Sequence, residues 1–229
     1  MKKLMTGVTL FLLAMVTLMP LAKAQKTPFT GTVVFDVKAE GEIPEQAKAM
    51  MPTEMTLKLT PEKQSMSMNF GMMEQKTISD VATQESNSMM NVMGQKLVIK
   101  VTAAQMQEQR LTQGETTGVK LSDETKTIAG FLCKKAVITK KVKDGADVTM
   151  EVYYTDDIDV SKFKFSNAIP ELTGFPMEYT MKSGPMAFKM VARSVKKENI
   201  AASEFVVPAD YKQVTTEQLK TMFGGGGEQ

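Results

Sequence analysis

The stretch MTLKLTPEKQSMSMNF, residues 55–70, carries the pattern that decides the fold. Apolar residues occupy every second position on either side of a Pro-Glu-Lys turn, at Met55, Leu57, Leu59, Met66, Met68 and Phe70. Alternation with a period of two is typical of a strand that buries only one of its faces. The stretch therefore predicts two strands joined by a turn.

The same alternation recurs along the rest of the chain. It is found at residues 29–38, 97–101, 148–154, 177–181 and 186–190. About nine to eleven antiparallel strands with one apolar face imply a large sheet that needs a cover. We therefore predict a mainly β fold: one large curved antiparallel sheet, a half-barrel, with a few short covering helices, in a single domain over residues 25–223.

Short helices are predicted at three places. Thr102 with Gln105 and Thr215 with Gln218 both fit a capping box, in which the two side chains satisfy each other's backbone amides. Pro44 suits the first position of another helix, over residues 45–51. These helices are the available covers for the apolar face.

The first 24 residues have the composition of a secretory leader. Lys2 and Lys3 precede an apolar run over residues 8–21, and the run ends in Ala22-Lys23-Ala24. This arrangement predicts cleavage after Ala24 and a periplasmic protein. Because Gln25 and not a cysteine directly follows that cut, no lipid anchor is expected there. The Gly-rich end, residues 224–229, is predicted to be disordered.

Composition argues against several classes of function. Three of the 28 basic residues lie in the leader, which leaves 25 against 26 acidic residues, a net charge of −1. That balance gives no electrostatic reason to bind nucleic acid. The absence of histidine excludes Ser-His-Asp catalysis and imidazole metal sites. No catalytic residue, metal site or cofactor is predicted, and the protein is not expected to be an enzyme.

Methionine is frequent: the chain has 21, of which four lie in the leader. Ten of the others form three clusters, Met50, Met51 and Met55; Met66, Met68, Met72 and Met73; and Met89, Met90 and Met93. Thioethers can bind Cu(I), but no histidine or second cysteine strengthens such a site. Because methionine also adapts to irregular apolar surfaces, the favoured interpretation is a core or a ligand pocket.

Three further features have a structural interpretation. Cys133 is the only cysteine, cannot form an internal disulfide, and is predicted to be buried on a strand. Residues 154–159 concentrate carboxylates but lack the order of an EF-hand loop, so a polar turn is favoured over a calcium site. A basic stretch is predicted on a solvated face or edge, with membrane contact as the weaker alternative, at Lys134, Lys135, Lys140, Lys141 and Lys143.

Residues 127–136, TIAGFLCKKA, resemble the I-x-G-[YF]-x-C-K-K-A strand of an exported bacterial family of unknown function related to the GLPGLI proteins. Residues 154–158 resemble that family's aromatic-Thr-x-x-Ile segment, and residues 205–211 its closing motif. Residues 171–176, ELTGFP, depart from the relatives' Leu-Pro-Gly-Leu turn. The resemblance implies the half-barrel of periplasmic lipoprotein carriers of the LolA and LolB type, lidded by helices, and it implies no catalytic residues.

The sequence thus predicts a non-enzymatic periplasmic protein that binds an apolar ligand, a lipid or lipoprotein acyl chain, on the concave face of the half-barrel. The predicted ligand-lining residues are Met66, Met68, Phe70, Met150, Val152, Met186, Phe188 and Met190. One alternative is a structural or interaction protein of the cell envelope whose apolar face is only core. A less favoured alternative is a Met-rich Cu(I)-binding protein. Peripheral membrane contact and the oligomeric state are left open.

Overall fold

The computed structural model describes residues 28–41, 51–112, 115–141, 147–163, 169, 172, 174–183 and 186–223. The strands are β1 (Gly31–Glu40), β2 (Glu54–Leu59), β3 (Lys63–Asn69), β4 (Met73–Asp80), β5 (Ser86–Val92), β6 (Gln95–Val101), β7 (Glu115–Ile128), β8 (Phe131–Lys141), β9 (Val148–Thr155), β10 (Phe175–Ser183), β11 (Met186–Lys197) and β12 (Lys212–Gln213). The helices are α1 (Ala103–Thr112) and α2 (Thr216–Phe223), with 3-10 helices η1 (Ser161–Phe163) and η2 (Ala202–Phe205).

The described strands join in one open sheet, in the order β12-β6-β5-β4-β3-β2-β1-β11-β10-β9-β8-β7. All pairs are antiparallel except β12 with β6, where two residues add in parallel. Register shifts between Val34 and Phe35 and in β7 mark bulges, which bend a sheet. The predicted mainly β fold with one large curved sheet is confirmed, and its twelve described strands exceed the expected number.

The larger hydrophobic core lies on one side of the sheet, here called the inner face. Phe35 of β1 is 1% exposed and makes ring contacts with Phe175 and Tyr179, at centroid distances of 6.0 and 6.3 Å. The cover of this core includes buried residues from the segment between β9 and β10, namely Ile158, Val160, Phe163, Ile169 and Leu172. The short helix that helps to cover it is therefore η1.

A second, smaller core lies on the opposite side, the outer face, of the sheet. It consists of Ile78, Met89, Val98 and Phe205. Phe205 belongs to η2, and the adjacent Glu204 accepts salt bridges from Lys58 and Lys76 at 2.7 and 3.2 Å. The segment after β11 thus covers part of the outer face of β4 to β6.

Both α-helices begin with the predicted capping boxes. The Thr102 and Gln105 amides donate to each other's side chains at 2.9 and 3.3 Å, and those of Thr215 and Gln218 do so at 2.9 and 3.1 Å. Met106 of α1 is partly buried, with its Sδ 3.6 Å from the Ser86 hydroxyl. In the part of the chain described, no helix is long and apolar enough to cross a membrane.

Three predictions fall largely outside the described residues. They are the leader with its cut after Ala24, the helix expected from Pro44 onward, and the disordered tail at residues 224–229. Each stays a prediction.

Candidate apolar binding face

Strands β2 to β6 arrange their inner-face side chains in rows, because directly paired residues of neighbouring strands point to the same side. One row contains Leu57, Met66, Thr77, Ser88 and Ile99. The next row contains Met55, Met68, Gln75, Met90 and Leu97. The regular register therefore brings methionines from β2, β3 and β5 to one surface.

This surface differs in burial from the rest of the inner face. Around β1 and β11 the inner face is closed, with Val33 fully buried and Met190 only 1% exposed. On β3 to β6 several apolar side chains are only half-buried, namely Met66, Met68, Met90 and Ile99. We call the inner face of β3 to β6 the open half and the inner face around β1 and β11 the closed half.

Charge is separated completely between the two faces of β2 to β6. Every charged residue on these strands has the register position of the outer face; they are Glu54, Lys58, Lys63, Glu74, Lys76, Asp80, Lys96 and Lys100. Several are paired there, such as Lys96 with Asp210 at 2.6 Å and Lys100 with Glu85 at 2.9 Å. The inner face of these strands thus presents only apolar and uncharged polar groups.

Three of the predicted ligand-lining residues lie deep in the closed half. Val152 is 0%, Met190 1% and Phe188 7% exposed, and all three belong to the main core. A fully enclosed side chain of this kind contributes packing energy to the fold. Their role as ligand contacts stays a prediction, and their observed contacts are those of a core.

Three of the other predicted residues are at the surface of that core. Met66, Met68 and Met150 are half-buried and pack against it. Phe70 follows β3 in the turn before β4 and is half-buried, so it lies just beyond the strand on which it was predicted. The Met186 side chain lies outside the described part.

Sequence reasoning missed Met90 and Ile99 as surface residues of the open half. Met89 and Met90 are consecutive, so strand geometry sends them to opposite faces. Met89 is buried in the outer core, whereas Met90 is half-buried on the inner face. The sequence of residues 86–92 carries no clear signal for this, because each face of β5 bears both polar and apolar residues.

Cys133 is fully buried, as predicted. Burial raises the pKa of its thiol, which lies 3.5 Å from the Phe131 carbonyl oxygen. The adjacent Lys134 pairs with Asp156 at 3.2 Å. This environment does not favour the thiolate, so it gives no support to a nucleophilic role.

A salt bridge joins the basic stretch to the acidic turn. Lys134 pairs with Asp156 of the turn, and Lys135 pairs with Glu124 and Glu151 at 3.2 and 3.0 Å. Lys143 lies outside the described residues. Among the residues described, no three or more His, Cys, Asp or Glu side chains are grouped so that they could hold a metal ion.

A buried carboxylate on the outer face was not predicted. Glu178 of β10 is 7% exposed and pairs with Lys126 at 2.5 Å and with Lys189 at 3.0 Å. Burial alone would raise the pKa of Glu178, but the two lysines together lower it below its ordinary value. Lys126 also lies 5.3 Å from the ring centroid of Tyr153. This is a satisfied ion-pair network, which stabilises the outer face.

Comparison with known proteins leaves the family open. No protein-family model and no curated protein matches the chain. Among solved structures, LprF from Mycobacterium bovis is 8% identical, with a TM-score of 0.36 over 80% of this chain and 90% of LprF. MucB is 10% identical, with a TM-score of 0.34 over 79% of this chain and 58% of MucB. Such low TM-scores do not establish a common fold, and membership of the GLPGLI-related family stays a prediction.

Proposed function

We propose that this is a non-enzymatic periplasmic protein that binds an apolar ligand, a lipid or acyl chain, on the open half of the inner face. The supporting observation is that Met66, Met68, Met90 and Ile99 are only half-buried on a charge-free surface. Ligand sites are usually concave and mostly apolar. An acyl chain laid over these residues would remove apolar surface from water, at about 25 cal/mol per Å².

The closed half and the open half of the inner face contribute differently to ligand binding. The closed half supplies a rigid base, since residues such as Phe35 and Met190 are almost fully enclosed. The open half supplies methionines, whose unbranched and flexible side chains fit chains of varied shape. A rigid core next to a flexible, methionine-rich surface therefore supports the proposal of a binding protein.

The experiment is uptake of Nile red, a neutral apolar dye, by the exported protein. Met68→Glu should abolish uptake because it places a carboxylate on the open half, where β2 to β6 supply no inner-face cation to compensate it. Ser67→Glu is the matched control, since Ser67 is the adjacent residue of β3 on the outer face and pairs in register with Lys76. Circular dichroism checks that both variants are folded.

If Met68→Glu does not fold, a pair of milder, uncharged substitutions at the same two positions provides the test. Met68→Gln should weaken uptake and Ser67→Gln should leave it unchanged. If the wild type takes up no dye, or if the inner-face and outer-face variants behave alike, the proposal fails and the envelope structural protein replaces it. If Cu(I) instead binds tightly and is lost in Met66→Ala and Met68→Ala, the soft-metal function replaces both.

Export is part of the proposal and has its own test. N-terminal sequencing of the protein recovered from the periplasmic fraction should begin at Gln25, because small residues occupy both required positions before it. A mature protein that retains residues 1–24 would contradict both the cut and the location.

A further inference from the structure

The open half contains a small group of uncharged polar side chains beside its half-buried apolar residues. Thr77 of β4 and Ser88 of β5 are direct cross-strand partners, and Gln75 lies two positions from Thr77 on the same face. All three are half-buried. We call these three residues the polar strip. Its neighbours in the same two rows are the apolar residues Met66, Met68, Met90, Leu97 and Ile99.

The polar strip lacks the internal hydrogen bonds that similar residues make nearby. In the adjoining row Ser79 and Ser86 are also paired across β4 and β5, and their hydroxyls bond to each other at 2.7 Å. Within the described part of the chain, the side chains of Gln75, Thr77 and Ser88 make no hydrogen bond. Within the described residues no buried side-chain nitrogen or oxygen lacks a partner, so the polar atoms of the strip are in contact with water. A ligand can therefore replace that water with hydrogen bonds of its own.

We propose that the ligand is an uncharged amphiphile, in which an acyl chain is joined to an ester, and that the polar strip binds the ester. This inference rests on the function proposed above and narrows it. The hydroxyls of Thr77 and Ser88 donate hydrogen bonds to the ester oxygens of the ligand. The side-chain amide of Gln75 forms a hydrogen bond with a hydroxyl group of the ligand next to the ester. The acyl chain lies along the half-buried methionines.

Charge separation argues against a free fatty acid as the ligand. Ionised carboxylates keep their hydration unless a cation or several donors replace it. All lysines on these strands have outer-face register positions, and Lys76 and Lys96, for example, are paired there with Glu204 and Asp210. The inner face of β2 to β6 therefore has hydrogen-bond donors but no cation to match a carboxylate.

The experiment compares 1-monooleoylglycerol with oleate, which has the same chain and a charged head, as competitors of Nile red at pH 8. The test variant is Thr77→Val combined with Ser88→Ala, which removes both hydroxyls and keeps the side-chain shapes. The matched control is Thr56→Val combined with Ser67→Ala, because Thr56 and Ser67 are the same residue types in direct cross-strand register on the outer face.

We expect the wild type to bind 1-monooleoylglycerol at least about tenfold more tightly than oleate. The inner-face double variant should lose about tenfold in affinity for the ester, equivalent to about 1.4 kcal/mol, while its affinity for Nile red and that of the control stay unchanged. Equal binding of ester and oleate, or an unchanged ester affinity in the inner-face variant, would overturn the inference and leave the proposed function standing. Failure of the wild type to take up Nile red would overturn both.

Discussion

Truncation of Met190 and Met68 to alanine should separate the core of this protein from its binding surface. Met190 of β11 is 1% exposed and lies between Val37 and Tyr179 in register. Alanine there leaves a closed cavity, and such a change costs about 2–5 kcal/mol. For Met190→Ala we expect the free energy of unfolding to fall by about 3 kcal/mol. Met68 is half-buried and opens toward solvent, so its truncation forfeits only part of the transfer energy of one side chain, about 1 kcal/mol.

The assay measures stability and uptake on the same three proteins. For a domain of this size each kcal/mol shifts the melting temperature by about 2–4 °C. Met190→Ala should therefore lower the melting temperature by about 6–12 °C, and Met68→Ala by about 2–4 °C. Measured where all three are folded, Nile red affinity should fall severalfold in Met68→Ala and stay unchanged in Met190→Ala.

The opposite pattern would refute this reasoning. If Met68→Ala cost as much stability as Met190→Ala and left dye uptake intact, Met68 would be a core residue and the open half would have no binding role.

Three other substitutions test the structural account. Glu178→Gln should lower the free energy of unfolding by about 2 kcal/mol at pH 7 in urea titrations, because it leaves two lysines without their counter-ion, whereas the exposed Glu151→Gln should cost less than about 0.5 kcal/mol. Since the pKa of Glu178 in the folded protein lies below its ordinary 4.5, its stabilisation is complete above pH 4.5 and is lost as the pH falls through the folded pKa. A difference between wild type and Glu178→Gln that persists at lower pH would contradict this. Gly174→Ala should lower the melting temperature markedly, because a Cβ there would stand 2.5 Å from the Thr155 carbonyl oxygen; an unchanged value would show that the segment shifts freely. Cys133→Ser should cost about 1–3 kcal/mol by leaving a hydroxyl in an apolar site, and the native thiol should react far more slowly with a disulfide reagent than a free thiol does.

The strands that the sequence predicted best are those whose apolar residues lie mainly on one face, such as β2, β3 and β9. Alternation over residues 55–59 and 148–154 was visible because one side of each strand is buried and the other is solvated. β4 and β5 escaped detection for a physical reason: their inner face carries Gln75, Thr77 and Ser88, while their outer face carries the buried Ile78 and Met89. With both faces mixed, no period of two remains.

The long edge strand β7 was also missed, because most of its residues are polar and exposed and no apolar stripe marks it. The sequence predicted an apolar, methionine-rich inner face, but it did not predict which part of that face is only half-buried. Periodicity indicates which residues share a face, as for Met66 and Met68, but it does not distinguish an enclosed position such as Val152 from a half-buried one. That difference depends on what packs over each strand, such as the segment between β9 and β10, whose buried Phe163 is part of the main core.

The most direct test of the central claim is photolabelling with a neutral acyl ester that carries a diazirine on its chain, followed by mapping of the labelled peptides. We predict labels on inner-face positions of β3, β5 and β6, chiefly Met66, Met68, Met90 and Ile99, and their loss in the presence of excess 1-monooleoylglycerol. Labels confined to the outer face, or spread over the chain and insensitive to the competitor, would contradict an apolar ligand site on the open half.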